Sequence, residues 1–242
     1  MNIADIATGT GIWLNEVQTT LGDIPVNKSR YYHGFDISDA QFPFSTEEVQ
    51  YSIQDALSPF PAQHLNRYDL VHVRLLVGAI QASDFEVIVA NLMKLLRPQG
   101  YLQWTEIDID TFLEGNTKKY PEFADMVQPI FSYAERHTMS TRPSEQVRLA
   151  CENTGLVNTM RYTSSITNFP DLKNTLQKWQ IRLFRTLLPQ IFLRSGIAAD
   201  EDAASRMTQS WSGRLQELFC DGLQPGVEIC VVVAQKPNGA GD

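Results

Sequence analysis

Short apolar runs alternate with longer helical patterns along most of the chain. The runs are rich in Ile, Val, Tyr and Phe, whereas the segments between them repeat apolar residues every three or four positions. This alternation is typical of a Rossmann-like α/β fold, in which a seven-stranded, mostly parallel sheet carries helices on both faces. It predicts strands at Ile3–Ala7, Tyr31–Asp36, Gln50–Gln54, Asp69–Val73, Tyr101–Glu106, Arg161–Ser165 and Glu228–Gln235.

A long connection, residues 169–222, separates the last two predicted strands. It exceeds the few residues that usually link elements in this architecture, so it needs structure of its own. We predict one domain, residues 1–242, with a helical insertion at 169–222, because neither a repeat nor a break in composition marks a second domain. The second helix of the insertion is predicted from Asp202 to Phe219. The first is predicted from an apolar stripe, interrupted at Pro189, of Leu172, Leu176, Trp179, Leu183, Leu187 and Ile191.

The first helix of the insertion admits three interpretations. Its stripe packs against the rest of the fold, or one end of it lines an acceptor pocket, or it forms a homodimer interface. We favour a combination of the first two, with one face packed and one end contributing to the pocket. The third interpretation rests on Phe184, Leu188 and Phe192, which widen the stripe beyond what one buried face needs.

A glycine-rich segment, DIATGTGIW at residues 5–13, follows the first predicted strand. Gly9 and Gly11 lie at the turn into a helix, where the backbone can approach a ligand and free N–H groups attract negative charge. A dinucleotide fingerprint needs a third glycine at the position of Leu14, so NAD or FAD is the weaker hypothesis. The segment therefore predicts a nucleotide-like ligand of another kind.

Two acids end the next two strands at the same edge of the predicted sheet. Asp36 closes YYHGFDIS, where a carboxylate can accept hydrogen bonds from both hydroxyls of a ribose. Asp55, in SIQDALSPF, lies one strand further along. Ligands of open parallel sheets bind outside these strand ends, so Gly9, Gly11 and the two acids are expected to converge on one nucleoside-like molecule. Taken singly, each acid could equally be a helix cap or turn former.

Composition excludes several classes of function. Of the 242 residues 43% are hydrophobic and 20% charged, and the formal net charge of −8 disfavours a nucleic-acid partner. The three cysteines, Cys151, Cys220 and Cys230, are widely spaced and predict reduced thiols without a metal site. Because no apolar segment reaches the roughly 20 residues of a membrane helix, we expect a cytoplasmic protein without a membrane partner.

At this point the chain resembles the class I S-adenosylmethionine-dependent methyltransferases, and most of all those of fungal secondary metabolism. The resemblance is carried by DIATGTG, GFDIS, QDALSPF, YDLVHVRLLVGAI and LLRPQGYLQWTEID, in this order over about the first hundred residues. It implies S-adenosyl-L-methionine as the cofactor. Asp5, Gly9 and Gly11 would line the methionine part, Asp36 would hold the ribose, and Asp55 would bind the adenine amine. The implied cofactor set is completed by Ala7, Ala56, Val73 and Arg74.

The chain departs from the family at two places. Ala7 stands where the family often has glycine, a change that a small side chain should tolerate. Members also usually carry a helical segment before the first strand, which this sequence lacks. We expect that cover to come from upstream residues, from the 169–222 insertion or from a partner chain.

Methyl transfer needs alignment of the acceptor more than it needs catalytic groups, and a base only for an acceptor that arrives protonated. Three candidates for such a role are His72, Glu106 and His137. For His72 the alternative is a structural histidine hydrogen-bonded between strand and helix. Glu106 and the neighbouring Asp108 could instead be solvated carboxylates at a strand end. The other two histidines, His33 and His64, are expected to be structural or solvated.

The sequence thus predicts methyl transfer to oxygen, with nitrogen or carbon as second choices, of an apolar small-molecule natural product. Two alternatives remain. The chain could use the same cofactor while catalysing a cyclisation or rearrangement, or it could be a non-catalytic module that binds a partner protein.

Overall fold

Seven strands form a single sheet in the computed structural model, which describes residues 1–22, 30–112, 119–165, 169–224, 226 and 228–239. The strand order is β3-β2-β1-β4-β5-β7-β6, and the pairs β1–β2, β1–β4, β2–β3 and β4–β5 are parallel. The strands are β1 (Asn2–Ile6), β2 (Tyr31–Asp36), β3 (Val49–Ile53), β4 (Tyr68–Arg74), β5 (Leu96–Ile107), β6 (Val157–Ser165) and β7 (Glu228–Gln235). The predicted Rossmann-like fold is confirmed.

Six α-helices accompany the sheet in the described part of the chain. They are α1 (Ile12–Gly22), α2 (Asp84–Leu95), α3 (Pro121–Arg136), α4 (Pro143–Asn153), α5 (Lys173–Arg194) and α6 (Glu201–Cys220). The last two lie between β6 and β7, so the predicted helical insertion before the final strand is confirmed.

Strand β5 begins five residues earlier than the sequence predicts. Tyr68 of β4 pairs with Leu96, but Leu70 pairs with Tyr101, so the register shifts between these two pairs. The extra residues of β5 form an irregularity that interrupts the alternation of buried and exposed positions. An alternation pattern therefore detects only the regular part of the strand, from Tyr101 onward.

Alternation along the strands buries both faces of the sheet. Ile3 of β1 packs with Leu14 of α1, together with Tyr32 and Val49 of the neighbouring strands. Ala4 and the other inward residues of the opposite face pack against helices α2 and α4 in a separate, larger cluster. Since successive side chains of a strand point to opposite faces, this arrangement follows from the continuous apolar runs.

The chain divides into two compact units. The first comprises Met1–Glu106, Pro143–Tyr162 and Cys230–Asp242, and the second comprises Ile107–Arg142 and Thr163–Ile229. The second unit thus contains α3 besides the predicted insertion, which the sequence analysis did not anticipate. That residues 1–242 behave as one domain stays a prediction.

The core of the second unit is formed by α3, α5 and α6. Phe123 of α3, Phe184 of α5 and Trp211 of α6 belong to one buried cluster, in which the rings of Phe184 and Trp211 lie 4.8 Å apart. The indole Nε1 of Trp211 donates a hydrogen bond to the carbonyl of Met126, at 2.8 Å. The aromatic pair therefore joins α6 to α5, and the hydrogen bond joins α6 to α3.

Two expectations about α5 are wrong. The helix runs through Pro189 without interruption, although proline leaves the carbonyl of Arg185 without its usual N–H partner. The buried face of the helix also differs from the predicted stripe: Leu187 is 42% exposed whereas the adjacent Leu188 is fully buried, although Ile191 of the stripe does belong to the core. Phe184, Leu188 and Phe192 belong to the core of their own unit, so they do not support a homodimer interface.

None of the helices in the described part of the chain is long and apolar enough to cross a membrane. Among the same residues, no cluster of His, Cys, Asp or Glu has the geometry of a metal site. The three cysteines are free thiols; Cys151 and Cys230 are buried and Cys220 is exposed.

Candidate functional site

The loop between β1 and α1 adopts an unusual backbone conformation. Ala7, Gly9 and Gly11 have φ angles of 55°, 52° and 68°, in the left-handed region that favours glycine. A Cβ atom on Gly11 would lie 2.4 Å from the hydroxyl oxygen of Tyr51, so this position needs glycine for two reasons. Ala7 adopts the same conformation with a methyl group, at a cost of roughly 1–2 kcal/mol.

Hydrogen bonds hold this loop against the end of β2. The amide of Thr8 donates to the carbonyl of Phe35 at 3.0 Å, and the amide of Gly9 donates to Oδ2 of Asp36 at 2.9 Å. The other carboxylate oxygen of Asp36 accepts from the amide of Ser38 at 3.2 Å. The half-buried Asp36 is therefore oriented by backbone on both sides, at the carboxyl end of its strand.

The second predicted acid lies at the end of the next strand. The amide of Gln54 donates to the carbonyl of Asp36 at 2.7 Å, and Asp55 follows directly. Oδ1 of Asp55 accepts from the amide of Leu57 at 2.9 Å, and the carbonyl of Ala56 accepts from Nδ2 of Asn91 at 3.0 Å. The structure thus places the glycine loop, Asp36 and Asp55 on three consecutive strand ends of one sheet edge.

Asp5, on β1, is enclosed by neighbouring side chains. Its side chain is buried, with the residue only 3% exposed, and it points into the first unit. Oδ2 accepts from the hydroxyl of Thr8 at 2.7 Å, and Oδ1 lies 2.7 Å from Nδ1 of His72. The carboxylate therefore holds the side chain of Thr8 in the glycine loop, and its contact with the methionine part of a cofactor stays a prediction.

His72 is enclosed on β4. It is 1% exposed, it is bound to Asp5, and its ring stacks on the indole of Trp13 with centroids 3.6 Å apart and planes 4° from parallel. Trp13 belongs to α1, so the imidazole joins a strand to a helix. This geometry agrees with a structural role for His72, although its hydrogen bond runs to a neighbouring strand and only the ring stacking reaches a helix. A catalytic role of His72 stays a prediction.

The segment after β4 is held by a buried acid. Val73 is buried and Arg74 is exposed, and the next residue, Leu75, has a φ of 58°. Oε1 of Glu106 accepts hydrogen bonds from the amides of Leu76 and Val77 at 2.8 and 3.2 Å. The solvated alternative for Glu106 is therefore wrong, because the carboxylate is fully buried and fixes the backbone that follows Arg74.

The remaining polar candidates lie in the second unit. His137 is exposed at the end of α3, where its ring packs 4.1 Å from the ring of Tyr133. Asp108 is buried, and its carbonyl accepts a 2.6 Å hydrogen bond from the hydroxyl of Thr111. The catalytic role of His137 stays a prediction.

Comparison with known proteins gives the family. A model of the methyltransferase domain matches residues 1–160. The methyltransferase grgD of a Penicillium species is 32% identical over 241 residues, which cover 98% of this chain and 83% of that protein. This chain belongs to the methyltransferase family. The likeness extends beyond the sheet, because the aligned part of grgD spans the second unit as well.

Other methyltransferases match over shorter stretches or at lower identity. The N-methyltransferase gliN of Aspergillus fumigatus is 25% identical over 158 residues, which are 64% of this chain and 54% of gliN. Phosphoethanolamine N-methyltransferase 2 of Haemonchus contortus, solved with S-adenosylhomocysteine, superposes with a TM-score of 0.55 at 17% identity. That superposition covers 98% of this chain and 49% of the Haemonchus chain, and it shows a shared fold.

Two histidines of this methyltransferase lie away from the glycine loop. His33 is hydrogen-bonded to the hydroxyls of Tyr31 and Ser52 at 2.7 and 2.8 Å, and His64 to the hydroxyl of Tyr68 at 2.8 Å. Burial lowers the pKa of His33 to about 3 and also lowers the pKa of His64. Both rings are buried and hydrogen-bonded, so of the two expected roles, structural or solvated, the structural one is confirmed.

Four residues that shape the glycine loop were not predicted from the sequence. Thr8 and Trp13 contact Asp5 and His72, and Tyr51 fills the space beside Gly11. A Cβ on Gly34 would lie 2.6 Å from Tyr51 Cδ1 and 2.8 Å from Thr8 Cγ2. A glycine inside a strand often marks such a close approach, so Gly34 carried a readable signal, whereas the other three did not.

Proposed function

We propose that this chain transfers the methyl group of S-adenosylmethionine to a small-molecule acceptor and leaves S-adenosylhomocysteine as the second product. The observation that carries the proposal is the 2.9 Å hydrogen bond from the amide of Gly9 to Asp36. It brings the left-handed glycine loop and the acid of the next strand to one point of the sheet edge, where α/β folds bind nucleotide-like ligands.

The donors and acceptors at this edge fit the cofactor. Each carboxylate oxygen of Asp36 accepts one backbone hydrogen bond, and a carboxylate has about four acceptor sites, so capacity for two ribose hydroxyls remains. Oδ1 of Asp55 accepts from the amide of Leu57, and its other oxygen suits the adenine amine. Helix α1 has no acidic residue in its first turn, which leaves its positive end available to the carboxylate of the methionine part.

When bound, S-adenosylmethionine supplies a methyl group on a positively charged sulfur, which is reactive without further activation. The contribution of the chain is alignment of the two reactants. Gly9 and Gly11 bring backbone close to the methionine part, while Val73 and Arg74 at the end of β4 flank the same edge. Buried Glu106 holds the backbone that follows Arg74, which makes it a positioning residue in this proposal.

The acceptor is an apolar small molecule of natural-product type. Oxygen is the acceptor atom that the sequence analysis favoured. The relative gliN is named as an N-methyltransferase, which supports nitrogen as a second candidate. The two differ in one measurable property, because the carbon of a methyl group attached to oxygen has a larger NMR chemical shift than that of one attached to nitrogen.

Calorimetric titration of the full chain with S-adenosylmethionine and S-adenosylhomocysteine tests the cofactor. The wild type should bind both, Asp36→Ala should lose about tenfold or more in affinity, and Asp39→Ala should bind as the wild type does. Asp39 is exposed three residues beyond Asp36, so it controls for the loss of one negative charge in this segment. Wild-type binding weaker than about 1 mM contradicts the proposal.

Incubation with methyl-¹³C cofactor and candidate acceptors tests the reaction. A labelled product confirms transfer, and its ¹³C shift identifies oxygen or nitrogen. An unlabelled product that forms only with cofactor present identifies the cyclisation or rearrangement alternative instead.

A further inference from the structure

Buried hydrogen bonds connect His72 to the glycine loop. We propose that His72 is a positioning residue for the cofactor: by donating from Nδ1 to Asp5 it fixes Thr8, and thereby holds the Gly9 amide against Asp36. This inference rests on the proposed function. It assigns His72 a part in cofactor affinity, and none in proton transfer.

The first contact is set by strand register. Asp5 of β1 and His72 of β4 are directly paired residues of neighbouring parallel strands, so their side chains leave the same face of the sheet. Oδ1 of Asp5 and Nδ1 of His72 are 2.7 Å apart, and the residues are 3% and 1% exposed. A short hydrogen bond without competing solvent fixes the carboxylate in one orientation.

The second contact transmits that orientation to the loop. Oδ2 of the same carboxylate accepts from the hydroxyl of Thr8 at 2.7 Å. The amide of Thr8 donates to Phe35 of β2, and its carbonyl accepts from Gly11 at 2.9 Å. Thr8 is therefore held at its side chain, its amide and its carbonyl, and the next amide along the chain is that of Gly9, which contacts Asp36.

The stacked indole of Trp13 has a separate part. It covers one face of the His72 ring at 3.6 Å and supplies packing between α1 and the sheet, but it makes no hydrogen bond to the ring. A residue with an aromatic ring and no donor at position 72 should preserve the packing and lose the orientation of Asp5. A residue with a donor and no ring should preserve the orientation of Asp5 and lose the packing against Trp13.

Loss of the donor should affect the loop because a buried carboxylate needs hydrogen-bond partners. Without His72, one oxygen of Asp5 is left to recruit another donor, and the amides of the neighbouring glycine loop are close in sequence. Any such rearrangement moves Thr8 and changes the place of the Gly9 amide relative to Asp36. The consequence is weaker cofactor binding with an unaltered acceptor site.

Two variants of position 72 separate these contributions. His72→Phe keeps a ring for Trp13 without a donor, and His72→Asn places an amide nitrogen near the position of Nδ1. In calorimetry with S-adenosylhomocysteine, we expect His72→Phe to raise the dissociation constant about tenfold or more, the value of one lost buried hydrogen bond to a charged group. His72→Asn should stay within about threefold of the wild type although it loses more thermal stability than His72→Phe does.

Thr8→Val provides an independent test if position 72 does not tolerate substitution. Valine removes the hydroxyl that Asp5 holds and keeps a methyl group against Gly34, where Thr8 Cγ2 lies now. It should raise the dissociation constant for S-adenosylhomocysteine in the same direction. In turnover assays both donor-deleting variants should raise KM for S-adenosylmethionine and leave KM for the acceptor unchanged.

His64→Phe is the matched control. His64 is 4% exposed and bound to the hydroxyl of Tyr68, so its replacement costs stability without touching the loop. The proposal is overturned if His72→Phe and Thr8→Val bind S-adenosylhomocysteine like the wild type. It is equally overturned if His64→Phe weakens binding as much as they do. A wild type that does not bind the ligand refutes the proposed function, and this inference with it.

Discussion

Replacement of Gly11 by alanine tests the geometry of the cofactor loop most directly. The φ of Gly11 is 68°, and an added Cβ would lie 2.4 Å from the Tyr51 hydroxyl and 3.0 Å from two ring carbons. Two costs therefore add. The first is that of a side chain in the left-handed region, roughly 1–2 kcal/mol. Displacing the Tyr51 ring from a packed position costs typically about 1–3 kcal/mol more.

Gly155 provides a matched control in the same unit. Its φ is 89°, and no atom lies within 4 Å of the Cβ that alanine would add, so Gly155→Ala measures the conformational cost alone. For a chain of this size each kcal/mol lowers Tm by about 2–4 °C. We expect Gly155→Ala to lower Tm by a few degrees, and Gly11→Ala to lower it by about twice as much.

Thermal and urea unfolding followed by circular dichroism gives both values. Repeating Gly11→Ala in a Tyr51→Ala background removes the clash and should bring its cost down to that of Gly155→Ala. Calorimetry with S-adenosylhomocysteine should show lost affinity for Gly11→Ala and none for Gly155→Ala. Equal stability losses at the two glycines in the wild-type background would refute the reasoning, because Tyr51 would then not occupy the space beside Gly11.

Three further predictions concern other parts of the molecule. Burial lowers the pKa of His33 to about 3 from an ordinary value of 6.5. As pH drops from about 6.5 towards 3, the unfolded chain therefore protonates His33 before the folded chain does, and the free energy of unfolding falls. Urea unfolding at pH 7, 5.5 and 4.5 should show that dependence, and a His33→Phe variant with an equally steep dependence contradicts it. Leu188→Ala should cost about 2–5 kcal/mol of unfolding free energy. The exposed neighbour Leu187→Ala should cost within about 0.5 kcal/mol, and similar losses at both positions would mean that α5 faces the other way. Asp36→Asn keeps the size of the side chain but weakens its acceptors, so its affinity for S-adenosylhomocysteine should fall between wild type and Asp36→Ala; affinity equal to that of the wild type would remove Asp36 from the ribose site.

The features that the sequence predicted well depend on residues close to one another in the chain. Buried parallel strands read as continuous apolar runs, and a left-handed turn needs glycine, so both leave their mark within a few residues. The seven strands, the loop at Gly9 and Gly11 and the acid at Asp36 were therefore visible in the chain. The beginning of β5 was not visible, because a shifted register there interrupts the alternation by which strands are recognised.

The partners of buried side chains could not be predicted from the sequence. Asp5 has the position of a ligand-binding acid in its motif, yet its carboxylate faces His72, 67 residues away. That contact exists because β4 lies beside β1 in the strand order, and because the register pairs these two residues. The same reasoning applies to Tyr51, which reaches Gly11 from another strand.

The sequence by itself determined the alternation of strands and helices, the conformation of the glycine loop and the acid that follows it, because each depends on neighbours in the chain. Only the tertiary structure decided which face of α5 is buried. It also decided that His72 holds the carboxylate of Asp5 and that Glu106 holds the backbone amides after β4. Those outcomes depend on strand order, register and the packing of distant helices, and periodicity along one element carries no information about them.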